Sequence, residues 1–253
     1  MVRRVVASIT ISLLFIVMPI VCVDSKAGFL DKALETYKKG VNSPLTKSVG
    51  ANSITDSELI AGFKQALELG TRKAVELASR PGGFLDNPEI RIPLPGKLQT
   101  AADMLRRFGL GSQADAFEKS MNQAAEKAAI EAFPVFSDAV KEMTFDDARK
   151  LWKGGDTSIT EYFKKKTFET LYAKFKPVVH GSVEQVGVTQ RYNSLVSNPA
   201  VKSVVGNTNL DLDHYVTNKT LEGLFKLLAQ QEKEIRSNPA ARTTDLLKKV
   251  FGR

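Results

Sequence analysis

The stretch "NLDLDHY", residues 209–215, holds the side chains of this sequence that are best suited to chemistry. If the stretch is extended, Asp211 and Asp213 project from the same side, because side chains alternate along a strand. With help from backbone carbonyls, two such carboxylates suit a hard cation. The pattern therefore makes Asp211, Asp213 and His214 the candidate metal site. The competing interpretation is that an Asp before a helix serves only as its N-terminal cap.

The other reactive residue types lack the spacing that catalysis needs. Ser182 follows His180 by two residues, but no G-x-S-x-G turn and no preceding strand accompany it. Neither histidine belongs to a zincin or Glu-x-x-His motif. The only cysteine, Cys22, lies in a segment that we expect to be removed. We therefore expect no cofactor and no thiol chemistry, and a metal-dependent enzyme ranks third among the functions considered.

Residues 81–96, here named the strap, interrupt an otherwise helix-forming sequence. The strap contains four prolines and three glycines, which exclude a helix. Its apolar residues are nevertheless too frequent for a free linker. Ile90, Ile92 and Leu94 alternate, so an extended backbone turns all three inward and leaves Arg91 on the other side. We expect the strap to be ordered.

An ordered strap can serve two purposes. It can be a rigid segment that covers one end of a helical bundle. Alternatively, it can wall a cleft in which Arg80 and Arg91, with Arg242, contact an anionic small molecule or lipid head group, because long ordered loops often carry function.

The first residues have the organisation of an export signal. Arg3 and Arg4 precede an apolar run from Leu13 to Val23, and the tripeptide 25–27 supplies small residues for a signal peptidase. An uncleaved membrane anchor is the alternative, although polar residues dilute the apolar run. We expect residues 1–27 to be a signal peptide, 28–54 an N-terminal helix and linker, and 55–253 the helical domain.

Cleavage would release an exported mature chain, with membrane contact only through the signal peptide before cleavage. The net charge of +8 falls to +6, because the signal carries three cations and one acid. This mild excess does not indicate a nucleic-acid binder. The three lysines of "FKKKTF", residues 163–168, also point in different directions around a helix, while the aromatic residues near them form apolar faces. We therefore expect no nucleic-acid partner.

Periodicity predicts an all-α protein, a single bundle-like domain of several helices. Thr55 and Glu58 form a capping box before the first helix, and Ser158 and Glu161 form a second. Pro134 predicts a kink in a helix over 112–143, and residues 156–187 are predicted to form either one helix or two helices that meet at Pro177. A long amphipathic helix is expected over 217–236, and a short C-terminal helix follows it.

Several strings together resemble a known family: "LIAGFKQALELGTRKAVELASRPGGFLDNPEIRIPLPGKLQ", "MNQAAEKAA", "GGDTSITEYFKKKTFETLYAKFKPVV" and "NPAARTTDLLKKVFG". They are similar to the bacterial envelope family catalogued as domain of unknown function 4197, over about Leu59 to Gly252. The resemblance implies an exported protein of Gram-negative bacteria. It supplies no activity and no catalytic residue.

The sequence thus favours a non-catalytic periplasmic protein that binds or associates with an unknown envelope protein. A binder of an anionic ligand at the strap is the alternative, and a metal-dependent enzyme is the third. An exposed apolar patch would favour the first function. A pocket lined by arginines would favour the second, and converging carboxylates with shifted pKa values the third.

Overall fold

The computed structural model describes residues 54–146, 148–206 and 210–252. These residues belong to a compact unit that begins at Ile54. Within the described ranges the chain forms ten α-helices and no strand, which confirms the all-α class. The expected signal peptide, Cys22 and nearly all of the expected N-terminal helix and linker lie outside the described residues.

The helices follow one another with short connections, apart from the strap between the first two. In chain order they are α1 (Asp56–Ser79), α2 (Lys97–Arg107), α3 (Ser112–Ile130), α4 (Ala132–Glu142), α5 (Ala148–Trp152), α6 (Ser158–Val186), α7 (Val188–Val196), α8 (Pro199–Val205), α9 (Leu212–Ser237) and α10 (Asp245–Phe251). A single 3₁₀ turn, Pro239–Ala241, joins α9 to α10.

The four longest helices, α1, α3, α6 and α9, pack against one another around the core. Their apolar faces bury aromatic side chains at the centre, where the rings of Phe136, Phe163 and Phe225 contact each other. Helix α6 is buried on two sides, since both Ile159 and Leu171 are inaccessible. This agrees with the apolar faces expected around the lysine run. None of the helices among the described residues is long and apolar enough to cross a membrane.

The capping box at the start of α1 is confirmed. Thr55 Oγ1 accepts a hydrogen bond from the N–H of Glu58 at 3.2 Å, and Glu58 Oε2 accepts one from the N–H of Thr55 at 3.0 Å. Hydrogen bonds from Lys249 of α10 and from Thr55 lower the pKa of Glu58 to about 2. The carboxylate that caps α1 therefore also contacts the C-terminal helix.

The prediction of a kink at Pro134 was wrong. The chain instead divides at Glu131 into α3 and α4, so Pro134 lies in the first turn of α4. A proline is tolerated there, because the N–H groups of a first turn have no partner within the helix. Pro177, in contrast, lies inside the continuous helix α6.

The prediction of a second capping box, at Ser158 and Glu161, was also wrong. Ser158 Oγ donates to the carbonyl of Leu151 at 2.7 Å, and Glu161 accepts from Thr157 Oγ1 at 2.6 Å. Helix α6 starts without a side-chain cap from its own N-cap residue. Its cap comes from α9, as described below.

Candidate functional site

The strap contributes four buried side chains to the core. Phe84, Ile90, Ile92 and Leu94 are all buried, whereas about half of the Arg91 side chain is exposed. This is the division that the alternating pattern predicts. Asn87 Oδ1 accepts from the N–H of Glu89 at 3.0 Å, which closes a local turn before the extended part.

Three polar side chains of α3 hold the strap from one side. Glu118, Asn122 and Glu126 are spaced four residues apart, so they lie along one face of the helix, and all three are buried. Asn122 accepts from the N–H of Ile92 at 2.8 Å and donates to the carbonyl of Ile92 at 2.9 Å. Its amide thus satisfies both backbone groups of a buried residue that has no neighbouring strand.

The two glutamates hold the strap on either side of that amide. Glu126 Oε1 accepts from the N–H groups of Phe84 and Leu85, each at 3.2 Å. Glu118 accepts from Arg91 Nε at 2.8 Å and, through its other oxygen, from Arg106 Nη2 of α2 at 2.8 Å. One face of α3 therefore fixes the start of the strap, its extended part and the helix that follows.

Helix α9 contacts the strap from the opposite side. Gly223 lies where a Cβ atom would be 2.7 Å from the ring of Phe84, so only glycine permits this close approach. Farther along, the hydroxyl of Tyr215 donates to the carbonyl of Pro93 at 3.0 Å. The strap is thus packed between α3 and α9.

The three candidate ligand-binding arginines have different surroundings. Arg91 is paired with Glu118, and Arg242 donates to the carbonyls of Ile235 and Arg236 at 2.9 and 2.8 Å. Arg242 therefore satisfies carbonyls at the C-terminal end of α9. Arg80 is exposed at the C-cap of α1.

A groove of about 260 Å³ runs between the strap and α9, and its cations are balanced by acids. Arg91 pairs with Glu118, Lys219 with Glu222 at 2.7 Å and Lys226 with Glu89 at 2.5 Å. An anionic ligand at the strap would have to displace one of these carboxylates. The groove does not have the unbalanced positive charge that would favour the second function.

The structure gives Asp211, Asp213 and His214 three different partners. Asp211 caps α9 by accepting from the N–H of His214 at 2.8 Å, which is the alternative interpretation of this aspartate. Asp213 lies 2.7 Å from His180 Nδ1, and His214 Nδ1 lies 2.8 Å from the hydroxyl of Tyr172. Over the described ranges, no group of three or more His, Cys, Asp or Glu side chains is arranged to hold a metal ion.

The pair of His180 and Asp213 joins α6 to the first turn of α9 and predicts a pH dependence of stability. The hydrogen bond to Asp213, together with the charges of Asp213 and Glu184, raises the pKa of His180 above 6.5. A raised pKa means that the stabilisation is fully present below the unfolded-state pKa of about 6.5. The stabilisation is lost as the pH rises through the folded-state pKa.

We therefore expect His180→Gln to destabilise the protein at about pH 5.5 but to have little effect at about pH 8.5. Urea unfolding of both proteins at the two pH values measures the difference. The effect will be small, because the pair is exposed and screened by solvent. An equal loss of stability at both pH values would contradict the ionic origin of this contact.

Glu232 and Arg236 of α9 form a buried network that the sequence did not reveal. Glu232 accepts from the N–H groups of Ile159 and Thr160 at 3.1 and 2.7 Å, and so caps α6 from another helix. It also accepts from Arg236 Nε at 2.9 Å, and Arg236 Nη1 donates to the carbonyl of Trp152 at 3.1 Å. The network ties α5, α6 and α9 together and leaves neither charge without a partner.

A different kind of surface lies at the connection between α2 and α3. Phe108 and Leu110 are 76% and 62% exposed, and Met104, one turn earlier on α2, is 46% exposed. We name these three residues the α2–α3 corner. A single exposed apolar side chain is common on a protein surface, but several close together in the chain favour an interaction surface. An exposed apolar surface of this kind favours association with a partner.

Sequence reasoning missed both the polar face of α3 and the corner. Polar residues at positions 118, 122 and 126 stand on an otherwise alanine-rich, buried helix face, and this periodicity was a readable signal. The string "RRFGLGS", residues 106–112, carries the second signal. The first of its two glycines, Gly109, marks a helix end, and the apolar residues on both sides of Gly109 have no periodic stripe to join.

Comparison with known proteins adds a family but no activity. A family model described as "Protein of unknown function (DUF4197)" matches residues 53–252. No curated protein and no solved structure matches the chain significantly.

Proposed function

Because the chain belongs to the DUF4197 family, whose description assigns no activity, we propose a function from its own residues. In this proposal it is an exported, periplasmic protein that acts without catalysis, by binding an envelope component. The exposed α2–α3 corner is the observation that carries the proposal. The N-terminal arginines, the apolar run and the small residues at 25–27 support export.

The side chains with catalytic potential are engaged in structural contacts, which also supports binding as the function. Asp211 caps a helix, Asp213 pairs with His180, and Glu232 caps α6 from α9. The buried glutamates of α3 hold the strap. The corner, in contrast, offers apolar surface that contributes little to the core.

Cell fractionation tests the proposal. We expect the wild-type chain to be recovered with the envelope fraction, with an N-terminus at or near Gly28. The double variant Phe108→Ser with Leu110→Ser should move to the soluble periplasmic fraction, because the apolar surface that holds it has been removed.

Ile130→Ser is the matched control, because Ile130 is 57% exposed but lies at the far end of α3. This variant should remain with the envelope. A full-length chain retained in the cytoplasm would refute export. Equal distribution of wild type and double variant would refute association through the corner.

A further inference from the structure

We propose that the envelope component bound by the α2–α3 corner is the surface of a bilayer that contains anionic lipids, with Phe108 and Leu110 inserted among the lipid headgroups. This inference rests on the proposed function. It also extends membrane contact from the expected signal peptide to the folded domain.

The backbone N–H groups of Phe108, Gly109 and Leu110 are already paired within the corner. The N–H of Gly109 donates to the carbonyl of Arg106 at 3.0 Å, and the N–H of Leu110 donates to the carbonyl of Leu105 at 2.8 Å. Gly109 has φ of 74°, which completes a Schellman motif at the end of α2. Insertion therefore carries no unpaired donor from this turn into an apolar medium, which would cost several kcal/mol.

The same motif makes the orientation of the apolar residues unusual. In a Schellman motif the residue after the glycine commonly packs back onto the last turn of the helix. Here that residue, Leu110, is exposed, as is Phe108 on the other side of the glycine. A Cβ atom at Gly109 would meet nothing within 4 Å, so the turn projects from the surface. A projecting pair of apolar side chains can reach beyond the surrounding surface, which insertion among lipid headgroups requires.

The corner is held rigidly by an arginine beneath it. Arg106 donates to Asp103 at 3.0 Å and to Asp115 and Glu118 at 2.8 Å each, which joins the end of α2 to the start of α3. A Cβ atom at Gly111 would lie 2.5 Å from Arg106 Cγ, so the chain passes close to this side chain. The backbone of the corner is thus ordered before binding, which lowers the entropic cost of association.

Charge and area favour a lipid surface over a second copy of the chain. Arg107, next to Phe108, is exposed and can meet phosphate groups, and Lys97, also exposed, lies about three turns earlier at the other end of the same helix. The acids nearest to the corner, Asp103 and Asp115, both contact Arg106, which offsets part of their negative charge. Three apolar side chains expose far less than the roughly 800 Å² per partner that a stable protein interface buries. Insertion needs only a few apolar side chains with basic neighbours.

Vesicle binding by the purified mature chain tests the inference. We expect it to sediment with vesicles of phosphatidylcholine and phosphatidylglycerol in equal parts, and at least about tenfold more weakly with phosphatidylcholine alone. Phe108→Ser with Leu110→Ser should reduce binding to the anionic vesicles by at least about tenfold, because two inserted side chains are lost. Arg107→Ser should reduce it by about fivefold. Ile130→Ser should leave it unchanged.

Fluorescence locates the inserted residue. In Phe108→Trp, emission should shift to shorter wavelength on anionic vesicles and should be quenched by brominated lipid. Wild type, which has only Trp152, and Ile130→Trp are the controls that should not respond. Both substituted positions are exposed, so neither change should disturb folding.

The outcomes separate the inference from the function on which it rests. If no vesicle binding occurs, or if binding does not depend on the corner, the lipid inference is wrong. If corner-dependent association with the envelope nevertheless persists in cells, the partner is a protein and the proposed function stands. If neither vesicle binding nor corner-dependent association with the envelope is observed, the proposed function is refuted as well.

Discussion

Glu232→Ala is expected to lower the free energy of unfolding by about 3 to 5 kcal/mol, the usual cost of removing one partner from a buried ion pair. The substitution leaves Arg236 buried without its carboxylate, since this arginine side chain is only 12% exposed. It also removes the acceptor for the N–H groups of Ile159 and Thr160. These donors then stay unpaired at a buried helix end. Urea unfolding followed by circular dichroism measures the loss.

Glu222→Ala is the control on the same helix. Glu222 pairs with Lys219 on the surface, and both side chains are substantially exposed. Its removal should cost at most about 1 kcal/mol. If Glu232→Ala and Glu222→Ala had the same free energy of unfolding, the buried network would not hold α6 to α9.

Phe84→Ala is expected to cost about 3 to 5 kcal/mol, as truncation of a fully buried aromatic side chain usually does. The Phe84 ring is inaccessible and packs against the backbone at Gly223 of α9. The cavity left by truncation cannot be filled easily, because hydrogen bonds from Phe84 and Leu85 to Glu126 fix the adjacent backbone. Thermal or urea unfolding measures the change.

Phe108→Ala makes the same chemical change at an exposed site and should alter stability by no more than about 0.5 kcal/mol. Hydrogen exchange provides an independent measurement. Slow exchange of the Ile92 amide is expected, because Asn122 accepts its hydrogen bond in a buried setting. A neutral Phe84→Ala variant with fast exchange throughout the strap would show that the strap is a flexible linker.

The sequence by itself determined the features that depend on neighbours a few residues apart. Thr55 and Glu58 indicate the start of α1, because both partners of a capping box lie within one turn. The apolar stripe of α9, from Leu221 through Leu228, follows from the helical period and is buried as predicted. The prolines and glycines of residues 81–96 exclude a helix there, and none is formed.

Long-range partners were decided only by the tertiary structure. Ser158 and Glu161 satisfy the local rule for a capping box, yet the N–H of Ile159 is bound by Glu232, which lies 73 residues away. The backbone of Ile92 pairs with Asn122, which lies 30 residues away. Asp211 and Asp213 are close in sequence, but one caps α9 and the other contacts α6. The sequence specifies which hydrogen-bond donors and acceptors the chain has. Which of them pair depends on how the helices pack, because a buried polar group bonds to the partner that packing brings within reach.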